Sequence, residues 1–454
     1  MLLKNCFYVS AHDGSALTDV DIRIEKNRIN EIGKNLSDRS VAGSHELNID
    51  CSSCVVIPGL VNTHHHFYQT LTRNLPSVQN AKLFEWLLYL YDVWKNIDEE
   101  AVYYSSLIAI GELLKTGCTL STDHHYLYPE NFSGDLMGIQ FAAAEKLGMR
   151  FSPSRGSMSL SKKNGGLPPD SVVQDEARIL EDSARVIEKY HDASDDSMRK
   201  IVLAPCSPFS VTPENMKETA RLAREHGVRL HTHLAETQDE EDFCQAKFGK
   251  NPLALMEDVG FVGNDVFFAH GVFFNDGELQ TLARTRTSIA HCPSSNMRLG
   301  SGIARVREML DRGITVGIGV DGSASNDTSD MLGELRNALL LQRVKYGASA
   351  LTAREALAMG TRNGAEILNF PSAGMIKIGA LADLALFDIN KLEYTGSLSD
   401  PLAALLFAGI NHQTKYTIVD GKLVVDHGRL VGENEELIVL KGNAISRKLL
   451  EARS

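Results

Sequence analysis

The chain has 454 residues, of which 43% are hydrophobic and 23% charged, a composition that is ordinary for a folded enzyme. Its formal net charge of −12 disfavours nucleic acid as a partner, because phosphate backbones bind basic patches. No run of 18 or more apolar residues predicts a membrane span, and residues 1–7 lack the apolar core of a secretion signal, so we expect no membrane association and a cytoplasmic location.

Both ends of the chain have the pattern of short strands. Residues 21–25 alternate polar and apolar side chains before a turn at Lys26-Asn27, and residues 383–387 and 417–425 have a similar pattern. We therefore predict one small β domain built from residues 1–57 and 369–454. It would flank a larger domain that comprises residues 58–368.

Within residues 58–368, and beginning slightly before them, short apolar strands alternate with amphipathic helices. Strands are predicted at residues 55–61, 119–123, 150–153, 201–204, 228–232, 266–269, 288–290 and 315–320. Helices are predicted at residues 99–115, 171–190, 213–225, 277–284, 330–345 and 352–368. Eight such repeats predict an α/β fold of the (β/α)8 TIM barrel type, which places its chemistry at the carboxyl ends of the strands.

Polar residues follow several of these strands. Three consecutive histidines end the first strand, and an extended chain points His64 and His66 to one side while His65 points to the other. The ends of the fifth, sixth and eighth strands carry His233 with Glu236, His270, and Asp321. One such residue alone is more often an ordinary hydrogen-bonded side chain, but their common position predicts a metal centre.

These residues carry a family resemblance. Together with Pro58-Gly59-Leu60-Val61-Asn62-Thr63 and the tail motif at residues 374–384, they resemble the amidohydrolase superfamily, in its branch of mononuclear aminohydrolases with guanine deaminases and triazine hydrolases. The resemblance implies a barrel flanked by a composite β domain. It implies metal ligands at His64, His66, His233 and Asp321. It also implies catalytic roles for Glu236 and His270, to which we add proton transfer by Asp321.

The number of metal ions depends on the end of the fourth strand. Two-metal members of the superfamily carry a carboxylated lysine there, whereas this chain reads Leu-Ala-Pro-Cys-Ser-Pro at residues 203–208. We therefore predict one divalent ion. Three imidazoles and a carboxylate favour zinc, and Fe²⁺ is the alternative. His231 lies one layer deeper than His233 and is expected to hydrogen-bond rather than to ligate.

Such an ion would activate water to attack the amino-bearing carbon of a heterocycle, while Glu236 protonates the adjacent ring nitrogen. Gln69 matches the glutamine with which guanine deaminases bind the purine edge, although it could equally be a polar residue at a helix start. Trp86 lies off the predicted apolar stripe of Phe84, Leu87, Leu88 and Tyr91. It could pack over a planar substrate or belong to the core.

Two loops, at residues 123–129 and 155–170, resemble those of 8-oxoguanine deaminases, and loops at this rim set specificity. Arg155 in the second loop is therefore a candidate pocket residue. Cys206 is another, because relatives that act on adenosine-type substrates usually have histidine at that strand end. Its alternative role is packing in the interior.

We expect a small heterocyclic substrate and the deamination of 8-oxoguanine to urate and ammonia. Isoxanthopterin, guanine and triazines remain alternatives, because the same ligands would serve each reaction. A non-catalytic assembly protein is the alternative from a different class, and the complete set of metal and catalytic residues argues against it. The sequence does not specify the oligomeric state, and a homo-oligomer is compatible with it.

Overall fold

The computed structural model describes residues 1–36, 46–129, 132, 134–409 and 412–453. The strands are β1 (Leu2–Cys6), β2 (Tyr8–Ser10), β3 (Ala16–Leu17), β4 (Val20–Glu25), β5 (Arg28–Gly33), β6 (Asn48–Asp50), β7 (Cys54–Pro58), β8 (Leu60–Asn62), β9 (Cys118–Ser121), β10 (His124–His125), β11 (Arg150–Phe151), β12 (Ser154–Ser157), β13 (Val202–Pro205), β14 (Arg229–Leu234), β15 (Val266–His270), β16 (Ser288–His291), β17 (Val316–Ile318), β18 (Leu384–Asp388), β19 (Tyr416–Val419), β20 (Lys422–Asp426) and β21 (Arg429–Leu430).

The α-helices are α1 (Leu83–Trp94), α2 (Glu99–Lys115), α3 (Leu136–Leu147), α4 (Glu176–Tyr190), α5 (Pro213–His226), α6 (Gln238–Phe248), α7 (Pro252–Asp258), α8 (Asp276–Thr285), α9 (Pro293–Arg298), α10 (Val306–Asp311), α11 (Met331–Tyr346), α12 (Ala353–Ala358), α13 (Gly364–Ile367), α14 (Pro401–Phe407) and α15 (Glu435–Glu451). Within the described residues, none of them has both the length and the apolar content needed to cross a bilayer.

A parallel sheet of ten strands forms the centre of the molecule. Its order is β10-β12-β13-β14-β15-β16-β17-β8-β9-β11, so the sheet curls until β17 pairs with β8 from the start of the series. Ten segments stand where eight strands were predicted, because the short strands β10 and β12 follow the strands predicted at residues 119–123 and 150–153, which correspond to β9 and β11. The architecture is an α/β fold that resembles a TIM barrel, with two further sheets.

The first predicted strand, at residues 55–61, is two strands. β7 lies between β18 and β2 in a seven-stranded sheet, whereas β8 belongs to the parallel sheet. The chain changes sheets at Gly59, where a Cβ atom would lie 2.7 Å from the Cβ of Thr119 and closer still to its hydroxyl. Only glycine permits this approach, and the three histidines follow β8 after one intervening residue, Thr63.

The seven-stranded sheet combines strands from both ends of the chain, in the order β21-β20-β19-β18-β7-β2-β3. The predicted segment at residues 417–425 is confirmed as β19 and β20, joined by Asp420 and Gly421. Both have positive φ, as a tight two-residue hairpin requires. The tail also contains α14 and α15, and Lys448 of α15 donates to Asp98 before α2 at 2.8 Å. The domain boundaries at residues 57 and 368 stay a prediction.

The helices begin and end where local chemistry favours it. α2 has the predicted bounds, and it begins after Asp98, whose side chain accepts from the backbone N–H of Ala101. α5 has Pro213 in its first turn and ends at Gly227 in the left-handed conformation. The helix predicted at residues 352–368 is interrupted by a π turn at Met359–Asn363, which separates α12 from α13.

Candidate metal and active site

Four of the predicted residues meet in one buried cluster at the carboxyl ends of the parallel strands. Asp321 Oδ1 lies 3.3 Å from Nε2 of His64 and 3.3 Å from Nε2 of His66. The Nε2 atoms of His66 and His233 are 3.1 Å apart. His64 and His66 follow β8, His233 lies near the end of β14, and Asp321 follows β17, so parallel strands bring together residues that are distant in sequence.

The hydrogen bonds of two rings show which nitrogen faces the cluster. His66 Nδ1 lies 2.7 Å from the carbonyl oxygen of His124, and His233 Nδ1 lies 2.6 Å from that of Cys206. A carbonyl oxygen only accepts, so both Nδ1 atoms donate, and in the neutral rings both Nε2 atoms present lone pairs. Two facing lone pairs repel each other, and a cation between them removes the repulsion. The donor set therefore fits a divalent metal ion.

Electrostatics separates the two carboxyl groups of the site. Burial raises the pKa of Glu236 well above its usual value, and the charges of Asp321 and Glu240 raise it further. Burial alone would also raise the pKa of Asp321, but the adjacent imidazoles of His64 and His66 hold it well below its usual range. Glu236 is therefore the protonated acid and Asp321 the anion, a division of roles that acid–base catalysis uses.

His270 lies against Glu236, with its Nε2 atom 3.6 Å from Glu236 Oε2. Its Nδ1 atom lies 2.9 Å from Oδ1 of Asn296, an acceptor, so the Nε2 atom of the neutral ring carries the lone pair. Burial lowers the pKa of His270, while the charge of Asp321 and the hydrogen bond to Asn296 raise it. A neutral ring with a free Nε2 can accept a proton.

Several residues of the site are held in an unusual backbone conformation. Ala235, His270 and Asp321 all have positive φ, at 54°, 73° and 63°. Non-glycine residues adopt this region uncommonly, in turns and at functional sites, where the surrounding structure holds them. Glu240 helps to stabilise the loop that contains Ala235, because its carboxyl group accepts from the backbone N–H groups of Ala235 at 3.1 Å and Glu236 at 2.9 Å.

A cavity with about 370 Å³ of open space adjoins the cluster. It is lined by His66, Gln69, Leu83, Trp86, Leu87, Tyr91, Tyr126, Cys206, Phe209, His233, Glu236, His270, Leu299, Asp321 and Ser325. Seven of these side chains, apart from the histidines, are aromatic or aliphatic. The cavity therefore suits a flat, largely uncharged molecule, held next to the polar cluster.

The structure places three of the four predicted substrate-binding residues on this cavity. Gln69 is buried, and no described residue forms a hydrogen bond with its Oε1 atom. Cys206 lines the wall beside His233, at 3.9 Å from sulfur to Nδ1. Arg155 is not among the lining residues. It lies 4.1 Å over the ring of Tyr128 and bonds Asp182 at 2.9 Å.

The predicted apolar stripe on α1 was wrong in part. Leu88 is 43% exposed, whereas Trp86 is buried and lines the cavity. Trp86 also contacts the ring of Trp94, edge to face at 5.5 Å, so it belongs to the core and to the cavity wall together. A stripe built from Leu83, Trp86, Leu87 and Leu90 has the same helical spacing, and the sequence pattern alone does not distinguish the two.

Sequence reasoning missed two residues that orient the site. Asn296 holds His270 from α9, and Glu240 holds the loop of Glu236 from the first turn of α6. The signal for Glu240 was present, because a glutamate at the third position of a helix often accepts from the backbone before it. No local pattern marks Asn296, which lies 26 residues from its partner.

Comparison with known proteins agrees with this arrangement. Residues 55–424 match the amidohydrolase family. The 8-oxoguanine deaminase of Pseudomonas aeruginosa is 47% identical, over 88% of this chain and 89% of its own. The isoxanthopterin deaminase of an unknown prokaryotic organism is 35% identical, over 97% of this chain and 94% of its own.

Among solved structures, atrazine chlorohydrolase from Arthrobacter aurescens TC1, complexed with zinc, superposes with a TM-score of 0.93. It is 32% identical, and the match covers 98% of this chain and 99% of that chain. The family match and the relatives extend over most of the chain, and the buried cluster of histidines and aspartate lies within the matched region. The chain therefore belongs to the amidohydrolase family and is a hydrolase.

Proposed function

We propose that this protein is a metal-dependent deaminase of a free oxidised purine, and that it converts 8-oxoguanine and water into urate and ammonia. The observation that carries the reaction type is the pairing of a histidine–aspartate cluster with a buried, protonated Glu236 at the wall of a flat cavity. The observation that favours the substrate is the 47% identity to an 8-oxoguanine deaminase.

His64, His66, His233 and Asp321 would hold one divalent ion. Three imidazoles and a carboxylate are a usual set for zinc, and the related chlorohydrolase was solved with zinc. When bound, such an ion makes a coordinated water acidic enough to attack near neutral pH.

The protein residues move the protons of the reaction. Glu236 donates its proton to the ring nitrogen beside the amino-bearing carbon, which makes that carbon electrophilic. His270 Nε2 accepts a proton from the attacking water as the new carbon–oxygen bond forms. The carbon–nitrogen bond then breaks, and its electron pair leaves with the nitrogen. Asp321 accepts the second proton of the attacking water as the ring carbonyl forms and delivers it to that nitrogen, which completes ammonia, and the proton held by His270 returns to Glu236.

The cavity supports a free base rather than a nucleotide. Its lining, as far as the structure describes the chain, contains no lysine or arginine to pair with a phosphate. The free Oε1 atom of Gln69 can accept one N–H of a ring edge, and its amide nitrogen can donate to a ring carbonyl.

A pterin is the second candidate substrate, because the isoxanthopterin deaminase matches nearly the whole chain. Isoxanthopterin is also a flat bicycle with an amino group between two ring nitrogens, and the same proton transfers would deaminate it. Guanine and triazines use the same chemistry and complete the set to be compared.

The test is ammonia release from 8-oxoguanine, guanine, isoxanthopterin, adenosine and melamine, with zinc-loaded protein. We expect 8-oxoguanine to give the highest kcat/KM, with urate identified by mass. The matched control is E236Q, which keeps the size of the side chain and removes the acid. If guanine or the pterin exceeds 8-oxoguanine tenfold, the substrate is wrong and the mechanism stands. No bound zinc and no ammonia from any compound would indicate a non-catalytic protein.

A further inference from the structure

The hydrogen-bond acceptor of His64 is of a different chemical kind from the acceptors of the other two histidines of the cluster. His66 and His233 each donate to a backbone carbonyl, whereas His64 Nδ1 lies 2.8 Å from Nε2 of His231. A carbonyl is always an acceptor. An imidazole nitrogen is an acceptor only when the ring proton is on the other nitrogen. The orientation of the His64 proton therefore depends on where His231 carries its own.

A backbone carbonyl fixes the proton of His231. Its Nδ1 atom lies 2.8 Å from the carbonyl oxygen of Phe267, so Nδ1 must donate. In the neutral ring, Nε2 of His231 then has a lone pair and accepts from Nδ1 of His64. The remaining nitrogen, His64 Nε2, is left with a lone pair and, although it is fully buried, has no hydrogen-bond partner among the described residues. This is the atom that faces Asp321.

The ring of His231 is also held by packing. It is fully buried and stacks on the ring of Phe267, with centroids 4.1 Å apart and planes inclined by 16°. His231 and Phe267 are register partners of β14 and β15, so one strand pair supplies both the stacking surface and the carbonyl. Both ring nitrogens of His231 are occupied by hydrogen bonds, which leaves neither for a metal ion.

We propose that His231 is a positioning residue. It forms a relay of two imidazoles, anchored on the Phe267 carbonyl, that keeps the proton of His64 on Nδ1 and presents Nε2 as a metal ligand. This inference rests on the proposed metal site and extends it to a residue that binds neither metal nor substrate. Loss of the relay would leave a buried N–H of His64 without an acceptor or move the proton to the ligating nitrogen.

The experiment measures zinc affinity rather than activity. Full-length protein is stripped of metal, and its Kd for Zn²⁺ is determined by competition with a chromophoric chelator. We expect H231L, which removes the acceptor, to weaken zinc binding by about 10–100-fold, the usual effect of losing a partner of a metal-ligating histidine. H231Q can place an amide oxygen near the position of Nε2 and is expected to recover much of the affinity.

The matched control is H291L. His291 is another fully buried histidine at a strand end, and in the part of the chain that the structure describes neither of its ring nitrogens has a hydrogen-bond partner. Its removal tests the loss of a buried ring without the loss of an acceptor, and zinc affinity should change little. Equal losses in H231L and H291L, an unchanged affinity in H231L, or a folded H231Q as weak as H231L would each overturn the relay.

A measurement on the wild-type protein keeps the relay falsifiable if a variant fails to fold. Nitrogen NMR of metal-free protein with ¹⁵N-labelled histidine should show the Nδ1–H tautomer for both His64 and His231, and an Nε2–H tautomer in either ring refutes the relay. The proposed function fails separately. Wild-type protein that binds no zinc refutes the metal centre itself, whereas normal zinc binding that is indifferent to residue 231 refutes only the relay.

Discussion

Replacement of Gly322 by alanine should disable substrate recognition without disturbing the fold. A Cβ atom at residue 322 would overlap the amide oxygen of Gln69 and lie 2.9 Å from its nitrogen. Unstrained non-bonded contacts occur at about 3.5–4.0 Å, so the amide must retreat by roughly 1.5 Å. The end of a glutamine side chain can move, and we expect an unfolding free energy within about 1 kcal/mol of wild type.

The retreat is large enough to break hydrogen bonds to a bound ring, because a bond of about 2.9 Å does not survive lengthening by roughly 1.5 Å. One or two lost bonds at about 0.5–1.5 kcal/mol each give about 0.5–3 kcal/mol, or about 2- to 150-fold in kcat/KM. The assay is deamination of the preferred substrate by wild type, G322A, Q69A and the double variant, at equal zinc content.

If G322A acts by displacing the Gln69 amide, the double variant should lose little more kcat/KM than Q69A does, because Q69A already lacks that amide. Zinc content is the necessary control, since the backbone N–H of Gly322 donates to Asp321 at 2.6 Å. Fully additive losses, or a G322A protein with wild-type kcat/KM, would refute the argument that Gln69 binds substrate and that Gly322 leaves room for it.

Three further predictions concern the acid, its neighbour and the fold. Glu236 acts in its protonated form and its pKa is raised by burial, so kcat/KM should fall as pH rises through that pKa. The E236Q variant should lose about 10²–10⁴-fold in kcat with its zinc content unchanged. An E236Q protein with undiminished kcat would contradict the role of Glu236 as the acid. N296L should lower kcat and shift its pH profile, because the Nδ1 proton of His270 loses its acceptor, and an unshifted profile would leave Asn296 a purely structural role. D383N should lower the free energy of unfolding in urea by about 3–5 kcal/mol, because it removes the carboxylate that lies 2.8 Å from the buried guanidinium of Arg150. A loss below about 1 kcal/mol would show that Asp420 alone is a sufficient ion-pair partner for Arg150.

The sequence by itself determined which residues would meet in the cluster. The two-residue spacing of His64 and His66 follows from the geometry of an extended chain, and His233 and Asp321 were placed by their positions at strand ends. In the structure these residues approach within 3.3 Å. Alternation and strand ends are local patterns, so a single sequence contains them in readable form.

Only the tertiary structure decided what surrounds that cluster. The predicted first strand is divided at Gly59, and Trp86 lies on the cavity wall. Arg155 bonds Asp182 instead of lining the cavity. The tertiary structure also set His231, 167 residues from His64 in sequence, at hydrogen-bond distance from it. Each of these outcomes depends on which distant segments pack together, and hydrophobic periodicity reports how one segment is buried without reporting its partner.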